Sequence, residues 1–200
     1  MAAHMVNRHF VVLVIAAAAT VHPTLARAQG ATVRGMVAAT SIESKTKPSF
    51  AAAVGYRTNR VFGFELELTS IPTLKPDAAA APRSGATGTD GRATVFTTNV
   101  RIEMPALTTR ITPYAVAGGG VANVKETFTV TPPVPPGVIV VIPPQSLTQS
   151  STDLVLTAGG GVSVLVAAHA SIDVDLRYLR LVGDRDHNVG RFGVGFSFRF

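Results

Sequence analysis

The chain has 200 residues, of which 46% are hydrophobic and 15% charged, with 18 Gly, 13 Pro and no Cys. The missing cysteines exclude a disulfide framework, a thiolate metal site and a thiol nucleophile, and the apolar content argues against a disordered tail. The formal net charge of +6 comes from basic residues scattered singly, without a run or stripe, so no nucleic-acid partner is expected.

At the amino terminus, Arg8 with His4 and His9 precedes an apolar stretch from Phe10 to Val21, and Ala26 and Ala28 put small residues where a signal peptidase reads. The pattern predicts a secretory signal peptide over residues 1–28, cleaved before Gln29, and a single domain over 29–200. The apolar stretch is 12 residues long, short of the ~20 a membrane-spanning helix needs.

From there on the period is two. Strands are expected at 31–41, 49–57, 62–69, 92–103, 111–124, 153–166, 171–178 and 191–200. The alternation is strictest in three of them. Phe62, Phe64, Leu66 and Leu68 alternate with Gly63, Glu65, Glu67 and Thr69; Ile172, Val174, Leu176 and Tyr178 alternate with Ser171, Asp173, Asp175 and Arg177. In the last, Phe192, Val194, Phe196, Phe198 and Phe200 face away from Arg191, Gly193, Gly195, Ser197 and Arg199. Glycines 118–120 and 159–161 fall inside two strands, where they allow bending and close approach. Neither run leads into a Lys-Ser/Thr pair, so a phosphate-binding loop is disfavoured.

Links near 58–60, 105–109 and 167–170 are short, and those at 43–48, 72–91, 125–152 and 183–189 are mostly longer. One end of the sheet therefore carries turns and the other loops, the asymmetry of an outer-membrane barrel. Strands of about 9–11 residues cross the apolar band, which leaves room for eight. A soluble barrel also alternates, but it would have to pack Phe62, Phe64, Phe192, Phe196, Phe198 and Phe200 into one small interior. Placing Arg57, Glu65, Glu67, Arg101, Glu103, Asp173, Asp175, Arg177 and Arg199 inside, beside the glycines, is the easier packing. The expectation is an all-β, eight-stranded antiparallel up-and-down transmembrane barrel.

The segments 59–68 (NRVFGFELEL), 112–122 (TPYAVAGGGVA), 173–181 (DVDLRYLRL) and 189–200 (VGRFGVGFSFRF) together resemble the small outer-membrane β-barrels of OmpA and opacity type. That resemblance implies export to the bacterial outer membrane, contact with outer-membrane lipid, and insertion by the barrel-assembly machinery. In this family the machinery reads the last strand and its terminal aromatic, here Phe196, Phe198 and Phe200. The chain departs from the pattern in having no Trp for the interfacial girdle, and it carries no peptidoglycan-binding domain, so cell-wall anchoring does not transfer.

Enzymatic readings find little support. His169-Ala170-Ser171 has the His-x-Ser spacing of a barrel lipid A deacylase, but it falls on a turn at the wrong end, and Ile172 stands where that family has Asn. Asp184, Asp186 and His187 could in principle hold a cation, yet they read more simply as a solvated loop, so no metal or cofactor is assigned. In the segment 125–152, paired prolines bracket the apolar stretch 137–142, which offers a surface ligand a contact; the alternative is that the loop folds onto the barrel rim or into the outer leaflet. The expected function is a non-enzymatic envelope-structural or surface-interaction barrel; a small-solute pore is the alternative and a lipid-modifying enzyme the second.

Strand parity also predicts a lumen closed by ion pairs among Arg57, Glu65, Arg101, Asp173, Asp175, Arg177 and Arg199. The expected registers set Gly55 opposite Glu65 with Arg57 diagonal to it, Arg101 opposite Glu65, and Asp173 opposite Arg199. Gly159, Gly161, Gly193 and Gly195 would leave room for Asp175 and Arg177 to reach across.

Overall fold

The computed structural model of the chain describes residues 30–42, 45–72, 86–104, 110–130, 145–182 and 187–200. The signal segment 1–28 and Gln29 lie outside them, as do Asp184, Asp186 and the apolar stretch 137–142. Eight strands follow one another: β1 (Gly30–Ile42), β2 (Lys45–Arg57), β3 (Phe62–Ile71), β4 (Ala86–Glu103), β5 (Ile111–Val130), β6 (Gln145–Ala167), β7 (Ala170–Val182) and β8 (His187–Arg199). Each pairs antiparallel with the next, and β8 pairs with β1 to close the barrel. Closure gives the strands two hydrogen-bonded neighbours each, which a membrane demands because lipid cannot satisfy an open edge.

The barrel is inside out relative to a soluble one. Phe64, Leu66, Leu176, Phe192 and Phe196 are exposed on the outside, while Glu65, Glu67, Asp173, Asp175, Arg177 and Arg191 are buried within. Strand alternation alone produces this, since successive side chains point to opposite faces. Near the chain ends, Tyr56, Phe62 and Phe64 on β2 and β3 and Phe196, Phe198 and Phe200 at β8 are all exposed outward. They supply an aromatic girdle without tryptophan. Phe198 and Phe200 meet edge to face, their ring centroids 5.1 Å apart. The β2–β3 turn at this end is tied by Asn59, whose side-chain oxygen accepts from the backbone N–H groups of Val61 and Phe62 at 2.8 and 2.7 Å.

At the other end the strands run further than their hydrophobic alternation suggests. β2 starts at Lys45, not after 48, and Pro48 lies where β2 is paired with β1 but not yet with β3, a place where a strand tolerates proline. β4 begins at Ala86, inside the expected loop 72–91. The largest correction concerns the expected loop 125–152: Lys125–Val130 and Gln145–Thr152 are strand, registered Lys125 to Ser150 and Val130 to Gln145. The ladder of β3 with β4 stops at Ile71–Ala93, and that of β6 with β7 stops at Leu154–Val182. Beyond those points β4, β5 and β6 continue together as a three-stranded antiparallel sheet that projects from the rim by about 20 Å, at ~3.4 Å per residue. In β6 its residues 145–152 are mostly exposed, whereas in β5 Phe128 is buried, so neither strand shows a regular apolar face here.

Candidate functional site

Seen from the turn end, the lumen has three layers, each built from inward positions of several strands. The middle layer carries the densest chemistry. Glu65 accepts from Arg34 at 2.5 Å and from Arg177 at 2.8 Å through the same oxygen. Glu67 accepts from Arg191 at 2.7 Å and pairs with Arg34 and Arg177 at 3.3 and 3.2 Å. Asp175 accepts from Arg177 Nε at 2.9 Å and from the Tyr114 hydroxyl at 3.0 Å, and it reaches Arg191 at 3.4 Å. Thr69 accepts a further bond from Arg191 at 2.7 Å.

This layer is neutral: three arginines against three carboxylates. Its arrangement resolves a conflict that the sheet itself creates. Arg177 and Arg191 are registered directly opposite each other on β7 and β8, a like-charge pairing that destabilises a sheet. Asp175, on β7 itself, pairs with both, and Glu67 reaches across the lumen from β3 to both, so closure of the barrel completes the compensation.

Glycine makes the crossing possible at two points. Gly159 is registered opposite Arg177 and Gly161 opposite Asp175. A Cβ on Gly159 would stand 2.9 Å from Arg177 Cγ, and one on Gly161 would stand 2.6 Å from the Tyr114 hydroxyl. Gly193 and Gly195 lie opposite Asp175 and Asp173 on the other flank.

Toward the loop end an apolar layer follows. Val95, Ala122, Val155, Leu179, Leu181 and Val189 form one buried apolar cluster, with Ile42 packed against it. Sequence reasoning did not anticipate it, because these residues share the face that carries the charges lower in the barrel. Toward the turn end lies the third layer, a mouth lined by arginines. Arg57 is ion-paired with Glu103, and Arg101 Nε lies 3.3 Å from the same carboxylate. The Arg101 guanidinium also stacks 3.6 Å over the Tyr114 ring.

The predicted residues thus share the lumen, but several registers differ from expectation. Gly55 does face Glu65, whereas Arg101 stands opposite Gly63, and Glu65 opposite Asn99. Arg101 reaches Glu65 only diagonally, at 3.9 Å. Arg57 pairs with Glu103 instead of Glu65. Asp173 is opposite Gly195, not Arg199, because β7 and β8 run on to Val182 and His187 and so fold about a tighter link than expected. Arg34, Arg191 and Tyr114 belong to the same lumen and were missed, while Glu67 and Glu103, expected inside, prove to be members of its ion-pair network. For Glu67, Glu103 and Arg191 the parity already pointed inward; for Arg34 it did not, because β1 mixes Met36, Ala38, Thr40 and Ile42 on its inner face.

His169 and Ser171 do not form a catalytic pair. His169 is exposed on the β6–β7 turn, its ring 6.3 Å from Phe198, while Ser171 is buried in the lumen and hydrogen-bonded to Ser197 at 2.6 Å. Among the described residues no group of three His, Asp or Glu could hold a metal ion.

An apolar exterior, a charged and filled interior and eight closed strands describe a barrel made for a bilayer. The family model "Outer membrane protein beta-barrel domain" matches residues 10–200. The chain belongs to this family. Its place is therefore the bacterial outer membrane, with the short-turn end toward the periplasm as in such barrels. No curated protein matches the sequence. Among solved structures, a major outer membrane protein from Thermus thermophilus is similar with a TM-score of 0.60 at 14% identity, covering 85% of this chain and 99% of that one. Neisserial surface protein A follows at 0.56 and 13%, and Ail, the attachment invasion locus protein of Yersinia pestis, at 0.52 and 18%; each comparison covers 86% of this chain and 97% of the other. At such identities the likeness shows the fold.

Proposed function

We propose that this outer-membrane barrel is a non-catalytic scaffold, closed to solutes, that holds a projecting sheet outside the cell for surface contact. The observation that carries the reading is the extension of β4, β5 and β6 beyond the rim, where among the described residues the outer edges of β4 and β6 have no paired neighbour. A free edge on a rigid support is a ready template for a partner. The filled lumen supports the scaffold role, since a network of paired charges and an apolar layer occupy it.

The outer face of the projecting sheet favours an acidic partner. Arg92 and Lys125 are registered directly opposite each other there, and two like charges in that relation gain from a shared anion. Next to them Asn123 donates to Ser150, Ser151 and Thr152 at 3.2–3.3 Å, which stiffens the base of the sheet. Ail is described in complex with the heparin analogue sucrose octasulfate, and a sulfated glycan is the natural first probe here too. At the opposite rim, Phe196, Phe198 and Phe200 form the strand end that we assign to recognition by the assembly machinery.

The test compares cells displaying the wild-type barrel, a form with 126–149 replaced by a short turn, and Arg92→Ala/Lys125→Ala, on heparin-coated surfaces. Retention by wild type alone is the expected result. Equal retention of all three, or of none, overturns the surface-contact reading, and mass spectrometry of lipid A from the same cells tests the absence of lipid chemistry.

A further inference from the structure

We infer that the short-turn mouth of the lumen is a binding site for a small oxyanion, a phosphate or a carboxylate, from the aqueous phase at that end. The argument starts from charge balance among side chains. The middle layer is neutral, but the mouth holds Arg57, Arg101 and Arg199 against Glu103 and Asp173. One guanidinium is in surplus. Glu103 is committed to Arg57 and Arg101, and Asp173, fully buried, sits 4.0 Å from Arg34. Arg199 Nε and both Asp173 carboxylate oxygens are buried without a hydrogen-bond partner among the described residues.

Beside these groups is a small cleft, open to solvent at its mouth, lined by Arg34, Arg57, Arg101 and Arg199, by the hydroxyls of Thr32, Ser163 and Ser197, and by the carboxylates of Glu65 and Glu103, which are already engaged with arginines. Three arginines from β2, β4 and β8 and hydroxyls from β1, β6 and β8 therefore surround one space. A surplus charge that is largely withdrawn from water is costly unless paired. A guanidinium offers a planar fork of donors that matches an oxyanion's oxygens, and hydroxyls add single bonds around it. The cavity is small, which limits the ligand to an inorganic phosphate, a short carboxylate or the end of a larger acid entering from the periplasmic side.

The experiment uses the whole barrel refolded in neutral detergent, with the arginine Nε–H signals followed by NMR while inorganic phosphate replaces chloride at fixed ionic strength. Saturable shifts at Arg57, Arg101 and Arg199, half complete at millimolar phosphate and larger than those at Arg177 and Arg191, are expected. Arg199→Gln should abolish saturation at Arg57 and Arg101, and Arg199→Lys should keep it with weaker affinity. The lysine variant, which preserves the charge, answers the question if the glutamine variant fails to fold. Arg180→Gln, on the outer face of β7, should change nothing. A second arm in phosphate-free buffer replaces detergent with phosphatidylglycerol bicelles. A response in the first arm assigns a dissolved anion, and a response in the second alone assigns a lipid phosphate reaching the same groups around the rim. Linear shifts no different from those of chloride, no response in either arm, or saturation unchanged in Arg199→Gln would overturn the site.

Discussion

In the middle of the lumen, Arg34, Arg177 and Arg191 are held by Glu65, Glu67 and Asp175, while one layer higher Val95, Val155, Leu179 and Leu181 pack in one apolar cluster. Both layers fill the barrel, yet they fail differently. Apolar packing loses stability by degrees as atoms are removed, because each methylene contributes on its own. A buried ion network loses it abruptly, because deleting one member strands the others in a poorly solvated space. The charged layer thus ties specific strands together, and the apolar layer fills the space above it.

The largest effect is expected at Glu67, which serves three arginines at once. Glu67→Ala should cost about 3–5 kcal/mol, read as a lowered urea midpoint for the barrel in vesicles. An unchanged midpoint would mean that water has replaced the carboxylate and that the network is not desolvated. Gly161→Val should come next, since its Cβ would run into the Val174 carbonyl oxygen on β7 and meet the Tyr114 hydroxyl that holds Asp175; about 1–3 kcal/mol is the usual cost of such overpacking. In the same assay Leu179→Ala should cost about 2 kcal/mol, toward the lower end for a buried leucine because the layer is thin.

Conductance sharpens the comparison further. In planar bilayers the wild type should show no steady opening, and Glu65→Ala alone should stay nearly closed because the apolar layer above it is intact. Glu65→Ala combined with Leu179→Ala should leak. A leak from Glu65→Ala equal to that of the double variant would assign closure to the charges alone. The smallest effect is expected outside the membrane: Thr127→Ala, on the projecting sheet, should leave barrel stability within about 0.5 kcal/mol. A larger loss would show that the sheet and barrel unfold as one unit.

Much of this molecule is legible in its amino acids, and the legible part has one physical source. A strand with lipid on one side and a packed lumen on the other must alternate, so residues 62–69, 171–178 and 191–200 disclose their faces without help. The same parity puts Glu65, Asp175 and Arg177 inside and Phe192 and Phe196 outside. Where both faces meet the same medium the signal vanishes, which is why Gln145–Thr152 reads as loop although it pairs with Lys125–Val130, where Phe128 alone is buried and no alternation shows.

Parity also says nothing about which inward residues meet. Arg101 lies opposite Gly63 and Asp173 opposite Gly195 because the ladders and barrel closure set the registers, while long links leave many registers open when residues are merely counted. Contacts across the lumen are further still from the chain: Arg177 and Glu65 are 112 residues apart in sequence, and Arg191 and Glu67 are 124. Local alternation determined the architecture, the membrane face and the composition of the interior. The partner of each charge, the apolar layer and the unbalanced arginine at the mouth were decided when eight strands closed on themselves, since only closure brings β3 to β7 and β8 across a shared interior.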